Sequence, residues 1–282
     1  MKEPLKSLLI IDDDPETARL LRRALPEDSW QIADTVDPEC APAMLREKQS
    51  DVTLLNLDLA KGSGVSLLWL LRQVRPRTRV ILITPAITSI DIIQAIRAHV
   101  FSYFSKPFEV EPVVEMIARA AAAVDWEDGI EVLSARSGWI SLRLRCRQLT
   151  ADRLVQFFRE LKTTLSDDER ENVAIAFREM LLNAIEHGGL FDPYQEVNVT
   201  YFRTNKAIIY LIQDPGQGFS FDRLPHAAIS NPAHSPAAHI EYRAQHGLRA
   251  GGFGILIARK LVDEALYNEK GNEVLLIKYL SF

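Results

Sequence analysis

The chain contains very little cysteine, no long apolar run and no excess of basic residues. Its two cysteines, Cys40 and Cys146, lie far apart, which excludes a disulfide scaffold or a cysteine zinc site and fits a reducing cytosol. The 33 Lys and Arg residues are outnumbered by 38 Asp and Glu, and the resulting net charge of -5 argues against a whole-chain nucleic-acid binder. The sequence has no run of about 18 apolar residues, the length that could span a membrane. Three acids follow the first apolar run, which is unlike a signal peptide. We therefore expect a cytoplasmic protein with no membrane partner and no direct nucleic-acid partner.

The length of 282 residues and the hydrophobic content of 47% predict two domains, each with its own core. In residues 5–123, short apolar runs alternate with amphipathic segments. The runs "SLLIID", "DVTLLNL" and "RVILIT" are typical of strands buried on both faces, and "PETARLLRRAL" and "VSLLWLLRQV" are typical of helices. This alternation predicts a doubly wound parallel α/β sheet, with functional residues at the carboxyl ends of its strands.

Beyond a predicted linker at residues 124–138 the pattern changes. The stretch "WISLRLRC" alternates apolar with polar residues, as in a strand with one face in water. Strands and helices that follow without regular alternation predict an α+β two-layer sandwich over residues 139–282. The further expected elements are helices at 152–165 and 167–187, strands at "EVNVTYFR" and "AIIYLIQD", a glycine turn opening a helix at "GGFGILIARKLVDEAL", and a last strand at "EVLLIKYL".

Several polar residues follow the predicted strands of the first domain. Asp12 and Asp13 come directly after the first strand, and crowded carboxylates of this kind suit Mg²⁺. Thr84 ends the third apolar strand, and Lys106 lies in "YFSKPF", so a hydroxyl and an ammonium could each bond a phosphoryl oxygen. The pattern indicates a site for Mg²⁺ and phosphate. For the carboxylates alone, an acidic turn that caps the next helix is the alternative.

With these residues, positions 5–123 resemble a two-component receiver domain. The resemblance implies that the acidic pair holds the metal and that Thr84 and Tyr103 form the family's switch pair. Gly64 fixes the register of the acceptor loop and places Asn56 at the acceptor position. Because an amide cannot form an acyl phosphate, the domain resembles a degenerate receiver. The residues at the family's spacing are Asp12, Asp13, Thr84, Tyr103, Lys106 and Pro107.

The sequence allows three interpretations of Asn56. The first is a degenerate receiver kept for protein–protein contacts. The second is that Asp58 accepts phosphate instead, although a side chain two residues further along is expected to point away from the pocket. The third is that Asn56 is an engineered substitution that keeps the domain unphosphorylated.

A helix and a strand end carry the chemistry predicted for the second domain. Glu179 and Asn183 are four residues apart on the predicted helix, so they project together beside its apolar stripe. In "QDPGQGF", Asp214 stands at a strand end and can accept a hydrogen bond from an adenine amino group. Gly216 and Gly218 follow it and allow backbone to approach a ligand closely.

A second glycine cluster, in "RAGGFGI", places Gly252 and Gly254 at a helix start, where free N–H groups favour phosphate. Each cluster alone fits an ordinary turn, but their order along the chain is more specific. Residues from about 139 to 280 resemble the GHKL ATPase fold shared by gyrase, Hsp90-type chaperones, histidine kinases and MutL. Here "EMLLNAIEHG" resembles the N-box, and the compact "LNAIEHG" makes the domain most similar to the anti-sigma-factor serine kinases.

This resemblance implies ATP and Mg²⁺ as cofactors and a role for each matched residue. Asn183 would coordinate Mg²⁺, Glu179 would act as general base toward the attacking hydroxyl, and Asp214 would recognise adenine. The remaining matched residues are Gly216 and Gly218 at the adenine, Gly252 and Gly254 at the phosphates, and Arg249 at the γ-phosphate.

Two classes of function follow from the resemblance. In the first, the degenerate receiver controls an ATP-dependent serine/threonine kinase whose substrate is an anti-anti-sigma-like protein. In the second, the ATPase-like domain is a non-catalytic adaptor that sequesters a sigma factor or another signalling partner. A homodimer is expected by resemblance only. A histidine kinase does not fit, because no histidine lies between His99 and His187 to accept phosphate just before the ATPase-like domain.

Overall fold

The computed structural model of the chain describes residues 4–59, 63–85, 89–123, 129–136, 138–161, 163–219, 228, 235, 237–245 and 252–280. The chain divides into two compact units, residues 1–128 and residues 129–282. Each unit has its own sheet, as two domains require. No helix in the described ranges is long and apolar enough to cross a membrane.

The first unit is a five-stranded parallel sheet in the order β2-β1-β3-β4-β5, which confirms the predicted doubly wound fold. Strands β3 and β4 are almost completely buried because helices cover both faces of the sheet. The strands are β1 (Lys6–Ile11), β2 (Trp30–Thr35), β3 (Val52–Asn56), β4 (Arg79–Thr84) and β5 (Ser102–Ser105). The helices are α1 (Pro15–Ala24), α2 (Ala41–Glu47), α3 (Ser63–Val74), α4 (Ser89–Arg97) and α5 (Val110–Ala122).

The second unit is a six-stranded antiparallel sheet in the order β10-β11-β9-β8-β7-β6, as an α+β sandwich requires. In β7 the apolar residues Ile140, Leu142 and Leu144 are fully buried, which confirms the alternation seen in the sequence. The strands are β6 (Ile130–Arg136), β7 (Trp139–Arg145), β8 (Glu196–Arg203), β9 (Ala207–Gln213), β10 (Glu264–Tyr267) and β11 (Glu273–Tyr279). The helices are α6 (Gln148–Arg159), α7 (Asp167–Asn183), α8 (Ala238–Gln245) and α9 (Gly254–Leu261).

The predicted boundary between the domains was wrong in its second half. Within the predicted linker at 124–138, β6 pairs along its length with β7 and forms an edge of the second sheet. Its register shifts between Val132 and Ser134, and such an irregularity breaks the alternation by which a strand is recognised in a sequence. The second unit therefore begins about ten residues earlier than the expected position 139.

Three further elements differ from the prediction. Helix α6 begins and ends several residues earlier than the expected 152–165. Helix α9 ends at Leu261, and the residues expected to continue it form strand β10 instead, which pairs with β11. Helix α7 begins at Asp167 as predicted, after a capping box between Ser166 and Glu169. It ends earlier than expected, at Asn183, and residues Ala184–Gly188 form a π-helical turn.

Candidate functional site

In the first unit, the carboxyl ends of the strands bring together an acidic pocket, which we define as Asp12, Asp13, Asn56 and Lys106. Asp12 follows β1 and is buried, with 2% of its surface exposed. The Nζ atom of Lys106 donates to both carboxylate oxygens of Asp12, at 2.9 and 2.7 Å. An ammonium this close to a buried carboxylate neutralises a charge that would otherwise be costly to bury. The structure thus joins two residues that the sequence placed at separate strand ends.

Asn56 is buried at the end of β3, at the acceptor position expected from the sequence. Its Nδ2 atom donates to Asp12 Oδ1 at 2.9 Å and to Asp13 Oδ1 at 3.0 Å. Its Oδ1 atom accepts a hydrogen bond from the backbone N–H of Asp58 at 3.0 Å. The orientation of the amide is therefore fixed, because the reverse orientation would set oxygen against oxygen. The side chain of Asp58 is exposed, in contrast to that of Asn56.

The other expected receiver residues are also buried in the first unit. Thr84 ends β4, and its carbonyl accepts a hydrogen bond from the backbone N–H of Lys106 at 2.8 Å. Tyr103 is fully buried in β5. A Cβ atom on Gly64 would lie 2.3 Å from the carbonyl oxygen of Leu57, so glycine is needed where α3 starts beside the acceptor loop. The expected role of Thr84 and Tyr103 as a switch pair stays a prediction.

The acidic pocket fits poorly with the Mg²⁺ site expected at Asp12 and Asp13. The amide nitrogen of Asn56 already bonds an oxygen of each carboxylate. Across the described residues, no three His, Cys, Asp or Glu side chains form a group that could hold a metal ion. An Mg²⁺ ion prefers six oxygen ligands in octahedral geometry, and a donor N–H group cannot supply one.

In the second unit, α7 presents the pair Glu179 and Asn183 on the border of its buried face. Both side chains are half-buried. A Cβ atom added to Gly254, the first residue of α9, would lie 3.0 Å from Glu179 Oε2 and 3.2 Å from Asn183 Nδ2. The two polar groups therefore face the backbone at the start of α9, where helix N–H groups favour phosphate. The structure thus brings the first and last predicted motifs into contact.

Asp214, directly after β9, lies against two glycines. Its Oδ1 atom accepts a hydrogen bond from the backbone N–H of Gly216 at 2.8 Å. A Cβ atom would lie 2.3 Å from Asp214 Oδ1 if added to Gly188 and 2.8 Å away if added to Gly216. Burial raises the pKa of the Asp214 carboxyl, and the Gly216 N–H bond opposes that shift. A half-buried carboxylate beside bare backbone is suited to accept a hydrogen bond from a planar ligand.

The remaining predicted glycines have backbone conformations that favour glycine. Gly218 has φ of +80°, and a Cβ atom there would lie 1.9 Å from the carbonyl oxygen of Lys270. Gly252 has φ of +95°. Arg249, expected at the γ-phosphate, lies outside the described residues, as does Gly251.

The π-helical turn connects the α7 pair to the Asp214 side of the site. Its hydrogen bond runs from the backbone N–H of Gly189 to the carbonyl of Ala184 at 2.9 Å. Such a turn inserts one extra residue into a helix and is frequent at functional sites. Here it carries Gly188 from the end of α7 to the carboxylate of Asp214.

Sequence reasoning missed three residues of this region. Asn272 donates from Nδ2 to the carbonyl of Asp214 at 3.1 Å and so fixes the strand end that carries the carboxylate. His239 on α8 is fully buried and meets the ring of Phe253 edge-on, with centroids 4.5 Å apart, just before α9. Cys146 is buried so close to Gly189 that a Cβ atom there would lie 2.2 Å from its sulfur. No sequence signal marks these contacts, since each joins distant segments.

Comparison with known protein families gives two matches along the chain. Residues 8–118 match the response regulator receiver domain, and residues 142–278 match the histidine kinase-like ATPase domain. The chain therefore combines a receiver domain with a histidine kinase-like ATPase domain, each in its own compact unit. It is a signalling regulator built from these two domains.

Individual relatives are similar over part of the chain. TcrX of Mycobacterium tuberculosis, described as a probable transcriptional regulatory protein, is 33% identical over 108 residues, which is 38% of this chain and 46% of TcrX. The response regulator protein PilR of Pseudomonas aeruginosa is 32% identical over 113 residues, 40% of this chain and 25% of PilR. The chain thus spans less than half the length of either relative. A CheY-like receiver domain from Methanospirillum hungatei superimposes with a TM-score of 0.40 at 20% identity, covering 42% of this chain and 95% of that one.

Proposed function

We propose that the second unit is an ATP-dependent serine/threonine kinase of the anti-sigma-factor type, and that the receiver unit controls it. The observation that carries the proposal is the approach of Glu179 and Asn183 to Gly254, with Asp214 held against Gly188 and Gly216. Three segments that are far apart in the chain thereby supply a carboxylate, an amide and bare backbone to one region. An ATPase-like domain also indicates nucleotide binding.

The glycines around Asp214 are the test of whether a nucleotide fits. A side chain at Gly188 or Gly216 would collide with the Asp214 carboxylate, so both positions require glycine. The carboxylate thereby lies directly against the backbone, where it can accept from the exocyclic amino group of adenine. These residues fit the adenine end of ATP.

The phosphate end is supported by α7 and α9. Asn183 offers an amide oxygen that would hold Mg²⁺, and the N-terminus of α9 offers N–H groups to the phosphates. When bound, Mg²⁺ would neutralise charge on the phosphates. Glu179 is placed beside them and would take the proton of the attacking hydroxyl. Because phosphoryl transfer depends mainly on positioning and charge, few protein groups are needed.

The substrate we propose is a serine or threonine hydroxyl of an anti-anti-sigma-like protein, by similarity of the second unit to the kinases of that class. The receiver unit would act on the kinase through protein contact, because Asn56 cannot form an acyl phosphate. We also propose a cytoplasmic location, from the composition of the chain, and a homodimer, by similarity to the kinases of that class.

The experiment is phosphoryl transfer from labelled ATP to candidate anti-anti-sigma-like proteins of the source organism. We expect Glu179→Gln to lower the rate by about 100-fold or more, since a general base contributes roughly 10²–10⁴-fold. ATP affinity, measured by calorimetry, should change little, because the side chain keeps its size. The matched control is Glu171→Gln on the same helix, whose only described pairing is an exposed ion pair with Arg159.

The outcomes separate the kinase from the adaptor. Transfer that is lost in Glu179→Gln and kept in Glu171→Gln supports the kinase. Equal transfer by both variants would overturn the role of Glu179. Tight ATP binding without transfer or hydrolysis would instead support an adaptor that sequesters its partner, and no ATP binding would contradict the nucleotide site itself.

A further inference from the structure

The acidic pocket of the receiver unit differs chemically from a pocket that awaits a divalent cation. Its two carboxylates, Asp12 and Asp13, are bridged by one amide nitrogen, with bonds of 2.9 and 3.0 Å. Asp12 also forms a short ion pair with Lys106, and Lys106 Nζ lies 4.0 Å from Asp14 Oδ2. Among the described residues, the side chains of Asn56 and Lys106 draw these acids together.

We propose that the side chains of Asn56 and Lys106 replace the divalent cation, so that the receiver unit holds its folded state independently of metal and phosphate. The amide presents both of its N–H bonds to the acids, and their partial positive charge lies between the two carboxylates. The ammonium supplies a full positive charge on the remaining oxygen of Asp12. Together they satisfy, with donors, the oxygens that a metal would otherwise bind.

The burial of Asp12 and Asn56 makes this replacement consequential. Asp12 is 2% exposed and Asn56 is 3% exposed, so water cannot easily take over the role of either donor. An unpaired carboxylate in such a place would be costly. The Oδ1 bond from Asp58 N–H holds the amide in its orientation and ties the loop after β3 to the same arrangement. The resting receiver is thus a single, internally neutralised state rather than a metal-responsive one.

Replacing the Asn56 amide by a carboxylate would leave the pocket with an excess of negative charge. In Asn56→Asp, three carboxylates would meet where two now stand, with Lys106 as the one ammonium bonded to them in the described structure. Like charges at about 3 Å cannot all remain ionised without a cation. The variant is therefore expected to acquire the metal dependence that the wild-type chain lacks.

The experiment uses the full chain without nucleotide, in EDTA or in saturating MgCl₂, with hydrogen exchange followed in peptides that contain β1 and β3. For the wild type we expect the same exchange rates in both conditions. For Asn56→Asp we expect exchange faster by about tenfold or more in EDTA, returning toward wild type with MgCl₂. A titration with Mn²⁺, followed by the paramagnetic resonance of the free ion, should find one more bound ion in the variant than in the wild type.

The wild-type measurement alone keeps the proposal falsifiable if the variant fails to fold. Exchange in β1 and β3 of the wild type that slows markedly on adding MgCl₂ would overturn it. So would a wild-type Mn²⁺ site that disappears in Asp13→Asn. Asn56→Asp that is as protected as the wild type in EDTA would also count against it, since a third uncompensated carboxylate would then have cost nothing.

Discussion

In the acidic pocket of the first unit, polar side chains bond to one another, whereas in the proposed nucleotide site of the second unit they lie beside glycine backbone. Asn56 and Lys106 take up the oxygens of Asp12 within the chain itself. Glu179 and Asp214 lie instead beside Gly254 and Gly216. The difference teaches that matching residues at family positions do not fix a site's chemistry. It also matters whether a polar group bonds to other side chains, as Asn56 does, or lies against glycine backbone, as Asp214 does.

The largest expected effect comes from adding a side chain at Gly218, a position in the second unit where the backbone leaves no room for one. Gly218→Ala forces a left-handed backbone on alanine and sets its Cβ against the carbonyl of Lys270 at 1.9 Å. We expect a loss of about 2–5 kcal/mol in the free energy of unfolding, from backbone strain and overpacking together. Urea unfolding of the second unit measures it.

The matched control for this change is Gly138→Ala. Gly138 has a similar left-handed φ of +73°, but its nearest atom, the carbonyl oxygen of Arg203, would lie 3.0 Å away. The control should therefore lose much less stability, and the difference isolates the collision. Equal losses in both variants would mean that strain alone, and no close approach of Gly218 to its neighbour, shapes this turn.

A smaller effect is expected when Asp214 of the second unit is replaced by an amide, the group that Asn56 provides in the acidic pocket of the first unit. Asp214→Asn keeps the acceptor for the Gly216 N–H bond but removes the charge. We expect ATP to bind about 10–100-fold more weakly, since hydrogen bonds to charged groups are worth roughly 1.5–3 kcal/mol. Calorimetry measures the affinity, with exposed Asp168→Asn on α7 as control.

The pH dependence of the same residue sharpens this test. Burial raises the pKa of Asp214, so its ionised form is lost at a higher pH than for an ordinary aspartate. ATP affinity should therefore fall as pH drops through that raised pKa, and Asp214→Asn should not show this fall. The contribution of the group to folding has the opposite sign, because the buried neutral form is favoured and stability gains as pH falls through the same range. Affinity that is flat in the wild type would contradict the role of Asp214.

The smallest expected effect is a difference in thiol labelling between the two cysteines, one in each unit. Cys40 is exposed, and its hydrogen bond to Asp37 raises the pKa of the thiol. Cys146 is buried, and burial raises its pKa to about 11. A thiol reagent near neutral pH should therefore label one cysteine slowly in the native chain and the second only after unfolding. Cys40→Ser should remove the native reaction, and a second native label would show that the region around Gly189 opens.

Much of the fold and of the second site could be predicted from local pattern. The buried runs of β1, β3 and β4 are short and uniformly apolar, as strands covered on both faces must be. Helix spacing placed Glu179 beside Asn183, and a strand end placed Asp214. These signals depend only on neighbours in the chain, so they are visible in one sequence.

Features that depend on distant partners were not predictable. Strand β10 has four residues that continue a helical pattern, and its conformation is set by pairing with β11. Strand β6 lies at a sheet edge with a shifted register. The identity of Asn56 ruled out an acyl phosphate, but only the fold reveals that its nitrogen reaches both Asp12 and Asp13.

The wide turn at Ala184–Gly188 also sets a spacing rule for the whole site. Removing one residue from it would restore ordinary helical winding and rotate everything beyond by about 100°. Gly188 would then move away from the carboxylate of Asp214, although the residues of each motif would be unchanged. A chain with intact motifs but a shortened segment between them would thus carry the sequence of the proposed nucleotide site without forming it.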